Sequence, residues 1–168
     1  CFMQDGTEFE WVGLLPLTCP FVGQDAQVPT GCPNDASRFT VVASETVVDN
    51  CTGLEWQLFT PDITGDGVAD RMSWCNALDY CKDLVLGGHA DWRLPNVREL
   101  QSIVDYGRHS PAANPVFRAE QEEYWSSTTR IQVPFFAWTV GFISGESIPF
   151  SKDPRNSSHF VRAVRGGL

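Results

Sequence analysis

The residues best placed to do chemistry lie in one short stretch, PDITGDGVAD at 61–70. Counted from Asp62, oxygen donors fall at positions 1, 3, 5 and 9: Asp62, Thr64, Asp66 and Asp70. Gly67 stands at position 6, where a sharp turn is needed, and Val68 at position 7, where a backbone carbonyl can serve. This spacing suits calcium, which takes roughly six to eight oxygens from such a loop. Ser73 replaces the Glu expected at position 12, so the loop is not a complete EF-hand. It predicts a weaker site, finished by water or another side chain, with affinity roughly in the 0.1–1 mM range of extracellular modules. The competing reading is a polar turn in which Asp66-Gly67 reverses the chain. That turn would hold three like charges in nine residues, with Arg71 as the local cation. The cation reading is favoured, with calcium fixing the strand-to-helix connection rather than touching a ligand.

Other constellations are sparse. His89, His109 and His159 are scattered, with no Ser/His/Asp context around them. The expectation is a protein that is not an enzyme. The six cysteines, Cys1, Cys19, Cys32, Cys51, Cys75 and Cys81, include no CxxC pair and no neighbouring His at zinc spacing. An even set of this kind predicts disulfides made in an oxidising compartment. Six cysteines allow 15 pairings; Cys19 with Cys32, bracketing CPFVGQDAQVPTGC, is the simplest to credit. Cys1 opens the chain, and a lipid anchor there is a second reading of the same residue.

The whole chain sets the limits for these sites. Its 168 residues fit one domain with an extension. A net charge of −9 argues against nucleic acid, which is held by clustered Lys and Arg, and against generic attraction to anionic lipid. Arg155, Arg162 and Arg165 gather near the C-terminus, where pairing with carboxylates at the core rim is the expected role. No stretch reaches the ~18 apolar residues of a membrane span. Residues 1–38 read as a Cys-rich extension strapped on by disulfides, and 39–168 as the domain. Within the extension, FEWVGLLPL at 9–17 could be a docking strand or could pack on its own domain.

The elements that must position the acidic loop follow from periodicity. RFTVVASETVVDN (38–50) predicts one or two strands, and GLEWQL (53–58) alternates Leu54, Trp56 and Leu58 on one face. After the loop, Ser73 is the predicted N-cap of a helix carrying Trp74, Ala77, Leu78, Cys81 and Leu84, closed by Gly87 and Gly88. A second helix starts with the capping box Asn96–Glu99 and presents Val97, Leu100, Ile103 and Val104, ending near Tyr106-Gly107. Strands are predicted at 124–129, 135–142, 147–150 and 159–165, with a hairpin turn at 144–147. That order is an α+β plan: two helices packed on an antiparallel sheet.

Four blocks carry a family resemblance: VVDNCTGLEWQ (47–57), GGHADWRLPNVRELQSIVDY (87–106), YWSST (124–128) and FVRAVRGG (160–167). Together they resemble the domain family named for the C-terminal domain of the Legionella collagen-like protein, over residues ~45–167. The resemblance implies a C-type-lectin-like fold and a bacterial cell-surface, secreted or periplasmic setting. It implies an adhesin-like binding module, with a surface glycan or protein as partner. The sugar-binding tripeptides EPN, QPD and WND are absent, and LPN at 94–96 is accounted for by helix capping. The expected ligand surface is the C-terminal half: Tyr124, Trp125, Arg130, Trp138, Ser151, Lys152, Arg155 and Asn156. The alternative is a structural subunit of a filament or larger assembly, built from copies of itself. Against the family, the acidic loop reads as a local insertion on the strand-to-helix connection.

Overall fold

The computed structural model describes residues 32, 37–42 and 45–166. Two antiparallel sheets and two helices build an α+β domain. The predicted single sheet is therefore two. One sheet orders its strands β1-β2-β3-β7: β1 Phe39–Val42, β2 Thr46–Asp49, β3 Glu55–Gln57 and β7 Val164–Arg165. The other is a meander of β4 Glu123–Thr129, β5 Phe136–Gly141 and β6 Ser147–Ser151. The run 38–50 gives two strands paired Val42 to Thr46 and Phe39 to Asp49. Leu54, Trp56 and Leu58 are all buried, as their alternation requires.

The predicted strand at 159–165 is regular only at its end. His159 pairs with Met72, Phe160 with Tyr124, and Val164 with both Trp56 and Arg93. The segment changes partner almost residue by residue as it passes from one sheet to the other. No continuous ladder can form along it, and β7 is reduced to Val164–Arg165.

Helix α1 spans Trp74–Asp83, with Ser73 as the N-cap whose hydroxyl accepts from Asn76 N. It stops earlier than Gly87-Gly88, because Leu84 is already extended. The two glycines, with φ of 59° and 81°, instead form the centre of a tight Leu86–His89 turn closed by mutual backbone bonds of 3.0 Å. Positive φ at both central residues is what a two-residue reversal demands. Helix α2 spans Val97–Ser102, and both arms of its Asn96–Glu99 capping box are present. It too ends short of the prediction. Val104 pairs with Ala113, and Asp105 N bonds Ala112 O, so the chain leaves the helix to make a bridge.

The β4–β6 sheet is covered on both faces. Tyr124 and Trp125 alternate, so they point to opposite sides. Tyr124 joins Leu100, Ile103, Phe117, Val140 and Phe142 in one cluster. Trp125 joins Met72, Ala77, Cys81, Trp92 and Leu94 in the other. Both rings are wholly buried.

Two arginines fasten the N- and C-terminal ends of the domain. Arg38 forks onto Asp49 at 3.2 and 2.9 Å and also reaches Ser102 O. Burial works against the Asp49 charge. The Arg38 guanidinium and the Cys51 N–H outweigh it and hold the carboxyl below its usual range. Arg162 is fully buried, and among the described residues no carboxylate forms an ion pair with it. It donates to the carbonyls of Gln57, Leu58 and Phe117 and to the Thr60 hydroxyl. Arg155 and Arg165 do pair with carboxylates, Asp153 for the first and Glu55 and Asp91 for the second. Arg162 is the exception to the expected role.

The disulfide joins Cys32 to Cys51. This overturns the Cys19–Cys32 pairing; Cys19 and Cys1 lie outside the described residues, as does FEWVGLLPL at 9–17. Cys51 sits in the turn after β2, so the bridge ties the chain preceding β1 back onto the β2–β3 connection. Cys75 and Cys81 are free thiols, the first exposed and the second buried, with burial pushing its pKa up to about 12.

Candidate functional site

The acidic loop connects β3 to α1 and is folded largely by its own carboxylates. Asp62 Oδ1 accepts from Gly65 N at 2.7 Å and Asp66 N at 3.2 Å, while its Oδ2 accepts from Gly67 N at 2.8 Å. Asp66 Oδ1 accepts from Val68 N. Asp70 Oδ2 accepts from Ile63 N and Thr64 N at 2.7 and 2.9 Å. The Thr64 N–H, followed by that of Ile63, holds the Asp70 carboxyl below the usual range. All three carboxylates thus accept backbone N–H groups, and among the described residues no Lys or Arg side chain pairs with them. Arg71, the local candidate, is engaged by Glu122 instead.

This arrangement bears on which oxygens a cation would meet. Asp62 is committed to the loop backbone through both oxygens. Asp66 Oδ2 and Asp70 Oδ1 receive no backbone N–H among the described residues. Thr64 Oγ1 and the Val68 carbonyl complete the predicted donor set. Among the described residues no three acidic, His or Cys side chains converge as a metal-ligating group. An ion here would draw on carbonyl, hydroxyl and water oxygens and would have to pull Asp66 and Asp70 inward, as in a weak site.

The end of the loop is anchored independently of any ion. Met72 exchanges two backbone bonds with His159, at 3.0 and 3.1 Å, and its carbonyl accepts the Trp125 indole N–H at 2.9 Å. His159 packs edge-on against Trp125 and beside Phe150, with ring centroids 4.6 and 4.3 Å away. Its Nε2 has no hydrogen-bond partner among the described residues. Burial, then the Arg71 charge, push its pKa down to about 4. The start of α1 is therefore set by core contacts as well as by Ser73.

Two depressions flank the loop. The larger, about 550 Å³, runs between Ile63, Thr64 and Asp70 on the loop, Ser73, Asn76 and Tyr80 on α1, and the turn at Pro154 and Ser158. The smaller, about 370 Å³, lies on the other side of Ile63 and Tyr80, against Glu45, Gln57, Phe59 and Leu86. Gln57 Nε2 donates to the Tyr80 hydroxyl at 2.7 Å and so fixes the ring between them.

The expected ligand residues are not brought together as a surface. Tyr124 and Trp125 are core residues with no exposure and leave the candidate set. Tyr124 instead meets Thr60 through its hydroxyl at 2.5 Å and accepts from Glu120 N. Trp138 is half-buried opposite Pro149. Arg130 is half-buried at the end of β4. Lys152 lies over the Trp74 ring at 4.1 Å and donates to Thr129. Arg155 and Asn156 are exposed on a turn organised by Asp153, whose carboxyl the Arg155 side chain holds down at about 2. That turn borders the larger depression through Pro154 and Ser158.

Asn76 and Tyr80 are absent from the expected ligand residues. Their signal is nonetheless in the sequence: four apart on a helix, they share one face.

The architecture defines a disulfide-bonded α+β domain in which an exposed acidic connection borders two surface depressions. The chain belongs to the Lcl C-terminal domain family, whose model matches residues 45–165. No curated protein matches the chain. No described helix is long and apolar enough to cross a membrane.

Proposed function

We propose that this domain is a non-catalytic binding module of a bacterial surface-exposed or secreted protein. Its fold is C-type-lectin-like, and its ligand is a surface glycan or protein. The observation that carries the reading is the position of the acidic loop as a wall of both depressions. The larger, at about 550 Å³, falls within the volume range of small-ligand sites. It offers the Asn76 amide and the Tyr80 hydroxyl from α1 and the Ser158 hydroxyl from the segment that follows the Asp153 turn, groups that can hydrogen-bond a polar ligand. The Cys32–Cys51 bridge and the membership in the Lcl family support the extracellular setting.

Calcium is the ion proposed for the loop. Asp66, Asp70, Thr64 and the Val68 carbonyl would supply its oxygens once Asp66 and Asp70 are drawn inward, while Asp62 organises the loop backbone. Its role is structural, and through Ile63, Thr64 and Asp70 it shapes the wall of the cleft. The ligand reading is tested on a glycan array with the wild-type chain and with Asn76→Ala and Ser158→Ala, both exposed positions. Binding that the two variants lose, with their melting unchanged, is the expected result. Binding that they retain in full removes the ligand from this cleft.

A further inference from the structure

The chain exposes two amphipathic patches of opposite charge. The tip joining β4 to β5 exposes Ile131 at 89% and Phe135 at 79%. Arg130 beside them is the one charged residue from Tyr124 to Gly145, and among the described residues it has no carboxylate partner. The acidic loop exposes Ile63 at 59% and Val68 at 65%, between Asp62, Asp66 and Asp70. Those three aspartates have no cationic side chain against them among the described residues, since Arg71 is held by Glu122.

Both patches are shaped in advance. The tip is closed by Val133 N to Arg130 O and Phe136 N to Val133 O, and is tied to the next strand by Lys152 N to Phe135 O at 2.8 Å. The loop is held by its carboxylate-to-amide bonds. Segments fixed in this way lose little further freedom when they meet a partner. Each side presents two large apolar groups beside a charge that lacks its complement, and the complement stands on the same chain.

We propose that this chain associates with itself head to tail, the β4–β5 tip of one copy seating on the acidic loop of the next. The contact joins two different patches, so it is heterologous and grows as a ring or an open chain rather than stopping at a two-fold dimer. A lipid surface is a poorer occupant of the tip, because a chain of −9 gains nothing from an anionic membrane.

The test is sedimentation velocity of the full chain in EGTA, which leaves the loop its full charge. Ionic strength is set at about 0.01 M, where charges act over ~30 Å, and at about 1 M, where they act over ~3 Å. Wild type should sediment faster as its concentration rises at low salt, and this should vanish at high salt. Arg130→Asp and Asp66→Arg should each sediment as monomers; Arg130→Asp should melt as wild type does, and Asp66→Arg, which gives up the Val68 N–H bond inside the loop, should keep the wild-type circular dichroism. Each variant keeps one intact half, so a 1:1 mixture should associate at low salt where neither variant does alone. Phe135→Ser should weaken the low-salt association. A wild type that stays monomeric at every concentration, with or without capture by vesicles, overturns the proposal. So do single variants that associate as wild type does, or a mixture that stays monomeric.

Discussion

Arg162 donates Nη2 to the Phe117 carbonyl at 2.9 Å while its guanidinium stands 5.4 Å from the centre of the same residue's ring. The Tyr124 ring lies 5.7 Å away. A fully buried cation is thus held by carbonyl dipoles and aromatic rings. Burial pulls its pKa below the ordinary value, and the Tyr124 side chain works in the opposite direction. The side chain joins β3, the segment at Thr60, the short helical turn Pro115–Phe117 and the last segment of the chain. Replacing it by Met leaves three buried carbonyls without a donor. At about 1–3 kcal/mol for each orphaned group, less the cost of burying the charge that is now removed, we expect a net loss of about 3 kcal/mol. Arg162→Lys should fall between, because one ammonium cannot match a fork spread over four acceptors. Urea unfolding followed by tryptophan fluorescence measures both.

His159 makes stability depend on pH. Its pKa is about 4 in the folded chain, against an ordinary value of 6.5. The unfolded chain therefore binds the proton first. The contribution is complete above pH ~6.5, falls as pH drops towards ~4, and is flat below. Arg71 opposes the proton and Glu122 favours it. Discounting for partial exposure, the loss should be on the order of 2 kcal/mol across that window. His159→Phe should flatten the curve between about pH 6.5 and 4.5. Parallel curves for variant and wild type in urea titrations would assign the acid sensitivity elsewhere.

The Cys32–Cys51 bridge closes a loop with a sequence separation of 19. A loop of that length is worth about 3 kcal/mol of constraint on the unfolded chain. Cys51→Ser should lower the melting temperature accordingly, and a reducing agent should lower wild type to the same value. Cys19→Ser should leave the Cys32–Cys51 peptide intact in a non-reducing digest read by mass spectrometry.

Much of the fold is legible from local rules. Ser73 and the Asn96–Glu99 box mark both helix starts, because an N-cap is a contact within three residues. Leu54, Trp56 and Leu58 mark β3 by alternation. Helix ends are less legible, since Leu84 is already extended ahead of the Leu86–His89 turn and Val104 leaves α2 to bridge Ala113, a residue outside the helical pattern. The ligand surface escapes a sequence reading for a related reason. Tyr124 and Trp125 look like aromatic groups on a half-exposed strand, yet the β4–β6 sheet is covered on both faces, which no window of the sequence displays. Arg162 looks like one of three C-terminal arginines. Only the tertiary fold shows that it faces carbonyls while Arg155 and Arg165 face carboxylates. The acidic loop is legible as a calcium-type spacing, but its network of carboxylate-to-amide bonds depends on the path of the backbone.

Scanning calorimetry of the full chain is the most direct test of a module organised around a calcium-binding loop. Melting is compared in excess EGTA and at several millimolar calcium, for wild type and for Asp66→Asn with Asp70→Asn. A site of roughly 0.1–1 mM affinity should raise the wild-type melting temperature in step with calcium concentration, leave the double variant unmoved, and respond less to magnesium. A wild-type melting temperature that is the same in EGTA and in millimolar calcium would contradict the account.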